Sequence, residues 1–127
     1  MNVLIVDDDP SMGLLIAATL RALAKNIQIA TTFRDAKEWI SKTVFNLVLL
    51  DIGLPDSPAD ITLTKVQEMR SGGAKVVIVC GAWPPKASLS PEQSGADAVI
   101  YKGDADMLDR LKSIVATPST ASPQPAG

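Results

Sequence analysis

Four short, unbroken apolar runs, each stopping abruptly at a polar residue, restrict this chain more than any other feature. Val3 to Val6 runs into Asp7, Asp8 and Asp9. Leu47 to Leu50 runs into Asp51, Val76 to Val79 into Cys80, and Ala98 to Tyr101 into Lys102. Continuous apolar runs of strand length are expected where a sheet is covered on both faces, as in parallel α/β folds. Helical patterns separate the runs, so the chain reads as successive βαβ units on a parallel sheet. If the runs are parallel neighbours, their polar ends meet along one edge. That edge then gathers three or four acids and one lysine, a set suited to a divalent metal and a phosphoryl group.

The intervening segments carry their own signals. Strand one is expected at about Asn2 to Val6. Asp9 is placed to cap the following helix, with Pro10 at its first position. Leu15, Ile16, Thr19, Leu20 and Leu23 are expected on that helix's inner face. Gln28 to Ala30 is a short second strand, and Thr31 or Thr32 caps a helix bearing Phe33, Ala36 and Ile40. Leu47 to Leu50 is the third strand. After the turn-rich Leu54-Pro55-Asp56-Ser57-Pro58, a helix from about Ala59 uses Leu63, Val66 and Met69 and stops at Gly72-Gly73. Lys75 to Val79 and Ala98 to Tyr101 are the last two strands. The final helix has Met107, Leu108, Leu111, Ile114 and Val115 at helical spacing, with Asp104 as its expected cap.

Between the last two strands a crossover helix is required, yet Pro84, Pro85 and Pro91 limit it. A short or irregular fourth helix is expected there, with a mobile loop from Trp83 to Ser90. Trp83 itself reads equally well as a partner-binding patch or as a ring folded over the sheet edge. The residues after Ala116 are rich in Pro, Ser and Thr and read as a flexible tail or linker. The domain expectation is therefore one folded unit over residues 1–116 and a tail over 117–127.

Composition removes several function classes. The 127 residues suffice for one domain, and 46% are hydrophobic, so a packed core is expected. The net charge of −2 argues against a nucleic-acid surface. Histidine is absent, which excludes histidine catalysis, histidine metal ligation and a phosphohistidine carried by this chain. The single cysteine, Cys80, cannot form an intramolecular disulfide and fits a reducing compartment. It reads as a small buried residue rather than a redox sensor. The first residues do not resemble a signal peptide, and no apolar stretch is long enough to span a membrane; Leu14 to Leu20 comes nearest and ends at Arg21. A cytoplasmic location without membrane contact is expected.

Taken together and in order, these motifs resemble the response-regulator receiver domain, the chemotaxis-type phosphoacceptor module. Ile5-Val6-Asp7-Asp8-Asp9-Pro10 resembles its acidic metal-binding turn. Leu49-Leu50-Asp51-Ile52-Gly53-Leu54-Pro55 resembles its phosphoacceptor turn, and Gly95-Ala96-Asp97 the approach to its last strand. Lys102 falls where the family has its lysine. The resemblance covers Asn2 to about Val115. It implies a doubly wound, five-stranded parallel sheet of flavodoxin-like type with the site at the carboxyl ends of the strands, where open α/β sheets bind ligands. It further implies that Asp51 accepts a phosphoryl group from a histidine kinase or phosphotransfer protein. Asp7, Asp8, Asp51 and the Gly53 backbone would hold Mg²⁺, whose preference is for hard oxygen ligands. Lys102 would pair with the phosphoryl oxygens, and Cys80 would stand beside them. Signalling would then pass to a downstream protein partner, and the chain would not be an enzyme.

Three positions depart from the family pattern. Cys80 replaces the usual Thr or Ser, and a thiol is a weak hydrogen-bond donor. Val99 stands where Tyr or Phe is common, three residues before the lysine. Gly103 replaces the proline that usually follows it. These departures keep open a pseudo-receiver, a binding module indifferent to phosphorylation. A haloacid-dehalogenase-like phosphohydrolase is a further alternative, weakened because Gly53 occupies the position two residues after Asp51 where such enzymes carry a second acid.

Overall fold

The computed structural model describes residues 1–57, 62, 64–81 and 95–116. In chain order the elements are β1 (Asn2–Val6), α1 (Pro10–Leu20), β2 (Asn26–Ala30), α2 (Phe33–Lys42), β3 (Leu47–Leu50), α3 (Val66–Ser71), β4 (Lys75–Cys80), β5 (Ala98–Tyr101) and α4 (Met107–Ala116). The five strands form one parallel sheet in the order β2-β1-β3-β4-β5. This is the doubly wound flavodoxin-like architecture. The expected crossover segment with Trp83, Pro84, Pro85 and Pro91, the helix start near Ala59, Leu63 and the 117–127 tail lie outside the described residues.

Alternation along the strands sorts the core into two layers. Leu4, Val6, Val48, Leu50, Val76, Ile78 and Cys80 pack with Phe33 and Ala36 of α2 and Val66 and Met69 of α3. Val3, Ile5, Leu47, Leu49, Val77, Val79 and Ile100 pack on the other face with Ile16, Ala17 and Leu20 of α1 and Leu111 and Val115 of α4. Because β1, β3 and β4 are covered from both sides, nearly every side chain in them is buried, which is why those segments read as unbroken apolar runs.

The helix starts follow their local chemistry. Asp9 caps α1 by accepting from the Ser11 and Met12 amides, and Pro10 occupies the first turn where its missing N–H costs nothing. Thr32 caps α2 through the Asp35 amide at 3.1 Å. The turn after α3 needs Gly73, whose φ is +98°.

Three details differ from the sequence expectation. Leu15 and Leu23 are solvent-exposed, at 46% and 43%, while Gly13, Ile16, Ala17 and Leu20 form the buried stripe of α1. α1 carries no charged residue, so periodicity alone cannot say which apolar face turns inward; Gly13 decides it by letting the helix approach Ile29. In α2, Ile40 is exposed and Trp39 packs against the core in its place. At the start of α4, Asp104 accepts the Met107 amide through its backbone carbonyl, while its carboxylate faces Arg110 at 3.4 Å.

Asp97 fastens the start of β5. Its amide donates to the Val76 carbonyl at 2.8 Å, and its carboxylate accepts from the Val76 amide at 2.8 Å and from two Arg70 nitrogens at 3.1 and 3.2 Å. One side chain thus ties β5 to β4 and α3. Replacing it leaves the Val76 donor unsatisfied, a loss of about 1–3 kcal/mol. Asp97→Ala is therefore expected to lower the urea midpoint clearly more than Arg70→Ala. The Arg70–Asp97 ion pair is partly exposed and such pairs contribute about 1 kcal/mol or less. Asp97→Asn, which keeps an acceptor for Val76, should fall between the two.

Candidate functional site

Parallel pairing continues one residue past the strands and sets the site. The Asp51 amide donates to the Val6 carbonyl at 2.8 Å, the Asp7 amide to Ala30 at 2.9 Å, and the Lys102 amide to Cys80 at 2.8 Å. The first residue after β1, β3 and β5 is in each case a charged one, held by the neighbouring strand. Asp7, Asp51 and Lys102 each stand two residues beyond a side chain of the same core layer, namely Ile5, Leu49 and Ile100.

The three side chains meet. The Lys102 ammonium lies 2.9 Å from Asp7 Oδ2 and 3.4 Å from Asp51 Oδ2. Asp7 and Asp51 are buried, at 2% and 5% exposure, whereas Asp8 is open to solvent. Carboxylate oxygens of Asp7, Asp8 and Asp51 lie within 4.8 Å of one another, the one such acidic group among the described residues. Asp9 is directed elsewhere, into the α1 cap, and its amide donates to Asp7 Oδ1 at 2.9 Å. Gly53 is exposed, and its amide donates to Asp51 Oδ1 at 3.2 Å. Cys80 lies in the apolar layer with Leu50, Ile78 and Leu54, and Val99 and Tyr101 pack against that same layer. Tyr101 therefore faces away from Ile100, as strand alternation requires.

The electrostatics follow from this crowding. Burial pushes the Asp51 carboxyl up. The Gly53 amide and the Lys102 charge pull it down, but the Asp7 charge and the adjacent Asp8 carboxyl push it up again, and the net direction is upward. For Lys102, burial opposes the charge, but the hydrogen bond to Asp7 and the attraction of Asp51 and Asp7 outweigh it and raise its pKa. Three acids share one ammonium, so the ionised cluster carries excess negative charge. A small divalent cation with a preference for carboxylate oxygen matches that deficit.

Sequence reasoning missed Asp56. It read as one residue of a turn, yet its carboxylate accepts from the Phe33 and Arg34 amides at 2.8 and 2.9 Å, at the start of α2. The local sequence gives no sign of this bond, which spans 23 residues. The unused amides of a helix beginning at Phe33 were the available hint.

The chain matches the response regulator receiver domain family over residues 3–112 and belongs to it. It is 28% identical to the transcriptional regulatory protein ZraR of Escherichia coli K12 across 99% of this chain, and 30% identical to the swarming motility regulation protein RssB of Serratia marcescens across 90%. It spans 29% and 52% of the lengths of those relatives. Among solved structures, it is similar to a CheY-like receiver domain from Methanospirillum hungatei, with a TM-score of 0.74 and 32% identity over 90% of this chain and 92% of that one. A receiver domain of a LuxO-type repressor from Vibrio parahaemolyticus gives a TM-score of 0.75 at 27% identity, over 91% and 86% of the two chains. The chain is a receiver domain of the two-component response-regulator type.

The raised Asp51 value fixes a direction for stability. A group whose folded pKa exceeds its unfolded one contributes fully below the unfolded value, and that contribution is lost as pH rises through the folded value. Without metal, Asp51→Asn is therefore expected to raise the melting temperature at neutral pH. The gain should shrink on acidification and vanish below about pH 4, the ordinary Asp range. Thermal unfolding of both proteins across that range in a chelating buffer checks it.

Proposed function

We propose that Asp51 is the phosphoacceptor, taking a phosphoryl group from the phosphohistidine of a kinase or phosphotransfer protein with Mg²⁺ present. The observation that carries this reading is a buried carboxylate at the end of β3, 3.4 Å from an ammonium and grouped with two further acids. Asp51 has no histidine to act as its base and needs none, since the reactive form is the carboxylate itself. Its oxygen forms the new bond to phosphorus while the donor's phosphorus–nitrogen bond breaks, and the imidazole leaves with the bonding pair. Lys102 is placed to meet the negative charge that accumulates on the phosphoryl oxygens. Asp7, Asp8, Asp51 and the Gly53 backbone would hold the ion. Mg²⁺ supplies charge neutralisation between the acids and the incoming phosphoryl group.

The product is a signal rather than a released compound, so the chain acts through contact with a downstream protein and not as an enzyme. No described helix is long and apolar enough to cross a membrane, and a cytoplasmic setting with a kinase as partner is the reading we adopt. Membership of the receiver family supports the signalling reading over the phosphohydrolase alternative.

Acetyl phosphate or phosphoramidate with Mg²⁺ is expected to add one acid-stable, base-labile phosphoryl group, and Asp51→Asn to abolish it. A second reading, a binding module indifferent to phosphorylation, is favoured by the thiol at Cys80 and the missing ring at Val99. Absence of a mass increase, where a control receiver is labelled, would establish that second reading instead.

The same two positions set the expected size of the response. A ligand biases a conformational equilibrium only by its differential affinity for the two states. With a weak donor at Cys80, beryllofluoride should produce small NMR shifts across β5 and α4. Cys80→Thr combined with Val99→Tyr should enlarge them, and Cys80→Thr alone should do so only in part. Large shifts in the unmodified chain would show a different switching route.

A further inference from the structure

We propose that Asp56 is a positioning residue whose carboxylate clamps the 51–57 loop to the first turn of α2 and so holds Asp51 and Gly53 in register with Asp7. The part of this inference that concerns metal and phosphoryl binding rests on the function proposed above. The clamp itself rests on hydrogen bonds.

Each end of the linkage can be followed. The loop begins at Asp51, whose amide is bonded to Val6. Ile52 and Leu54 are buried in the apolar layer shared with α2 and α3. Further along the loop Ser57 is buried, with its hydroxyl 2.6 Å from that of Thr62. Gly53 lies between the two apolar anchors and is exposed, with no side chain to hold it. Asp56 supplies a polar anchor to a different element. Both its oxygens are used, Oδ1 by the Phe33 amide and Oδ2 by the Arg34 amide. These donated bonds, together with the nearby Arg34 charge, lower its pKa.

The far end of the linkage leads back to the site. Thr32 already takes the Asp35 amide, so the first three amides of α2 are all satisfied, one by the helix's own cap and two by the loop. Only Thr31 and Thr32 separate α2 from Ala30, whose carbonyl holds the Asp7 amide. Asp56 thus closes a ring that runs from Asp51 through the loop to α2, to the end of β2, to Asp7, and back across β1. Ile52 and Leu54 join the loop to α2 by apolar packing, and Asp56 adds two directional hydrogen bonds to that contact.

A merely structural role for Asp56 would act by weakening α2, and Thr32 provides the control. Thr32→Ala removes a cap from the same helix, with a cost of about 1 kcal/mol, without touching the loop. The first measurement is made without metal. Asp56→Asn, which keeps one good acceptor and preserves the fold, should move the Gly53 and Asp51 amide resonances, and Asp56→Ala should move them further. Thr32→Ala should shift only α2 and its immediate neighbours. The second measurement is a Mg²⁺ titration followed at the same amides. Asp56→Ala should weaken affinity about tenfold, the scale of lost outer-shell support at metal sites, and slow labelling by acetyl phosphate. Thr32→Ala should leave both within twofold, a span of about 0.4 kcal/mol at RT ≈ 0.59.

If Gly53 and Asp51 stay in place in the Asp56 variants, or move equally in Thr32→Ala, the clamp is overturned. If those amides move as stated but the unmodified chain binds no Mg²⁺, the clamp stands and the proposed function fails. If the unmodified chain binds Mg²⁺ and Asp56→Ala binds it equally well, the positioning role is overturned.

Discussion

The structure depends on holding two buried carboxylates side by side. Asp7 and Asp51 follow adjacent strands, and the hydrogen bond from the Asp51 amide to the Val6 carbonyl holds their backbones close together. Like charges in a low-dielectric setting repel strongly, and removing them from water costs more still. The fold offsets this with one ammonium, delivered from the far side of β4 by the long Lys102 side chain. That compensation is incomplete, and the raised Asp51 value records the remainder. The cluster is left with excess negative charge.

The rest of the architecture serves that juxtaposition. β1 and β3 occupy the middle of the sheet and are covered by helices on both faces, so their ends are fixed by close packing rather than by loops. The loops that follow are kept short of freedom by specific bonds: Asp9 turns back into the α1 cap, and Asp56 reaches across to α2. At the other edge, Asp97 locks β5 to β4, which sets the height from which Lys102 reaches inward.

Cys80 shows how a site can keep its charges while altering its neighbours. The residue ends β4, opposite Tyr101 in the ladder, and lies within the apolar layer. Val99 and Tyr101 flank that same layer on β5, so the aromatic ring stands next to the lysine instead of three residues before it. The acids and the lysine lie together at the strand ends, and the layer beside them on β4 and β5 is apolar or soft.

Local sequence determined whatever depends on local chemistry. The unbroken runs at Val3, Leu47 and Val76 announced strands buried on both faces, and the acids that ended the first two meet because neighbouring parallel strands end along one edge. Asp9 with Pro10, and Thr32, marked helix starts because capping is settled within three or four residues. Tertiary structure alone decided which side of α1 faces inward, since that helix is apolar all round and Gly13 selects its face by fitting against Ile29. It alone decided that Asp56 would serve a helix 22 and 23 residues earlier in the chain, and that Asp97 would join Val76 and Arg70. The physical reason is the same in each case. A hydrogen bond or a packing contact between distant segments depends on where the sheet brings them, and periodicity carries no information about that distance.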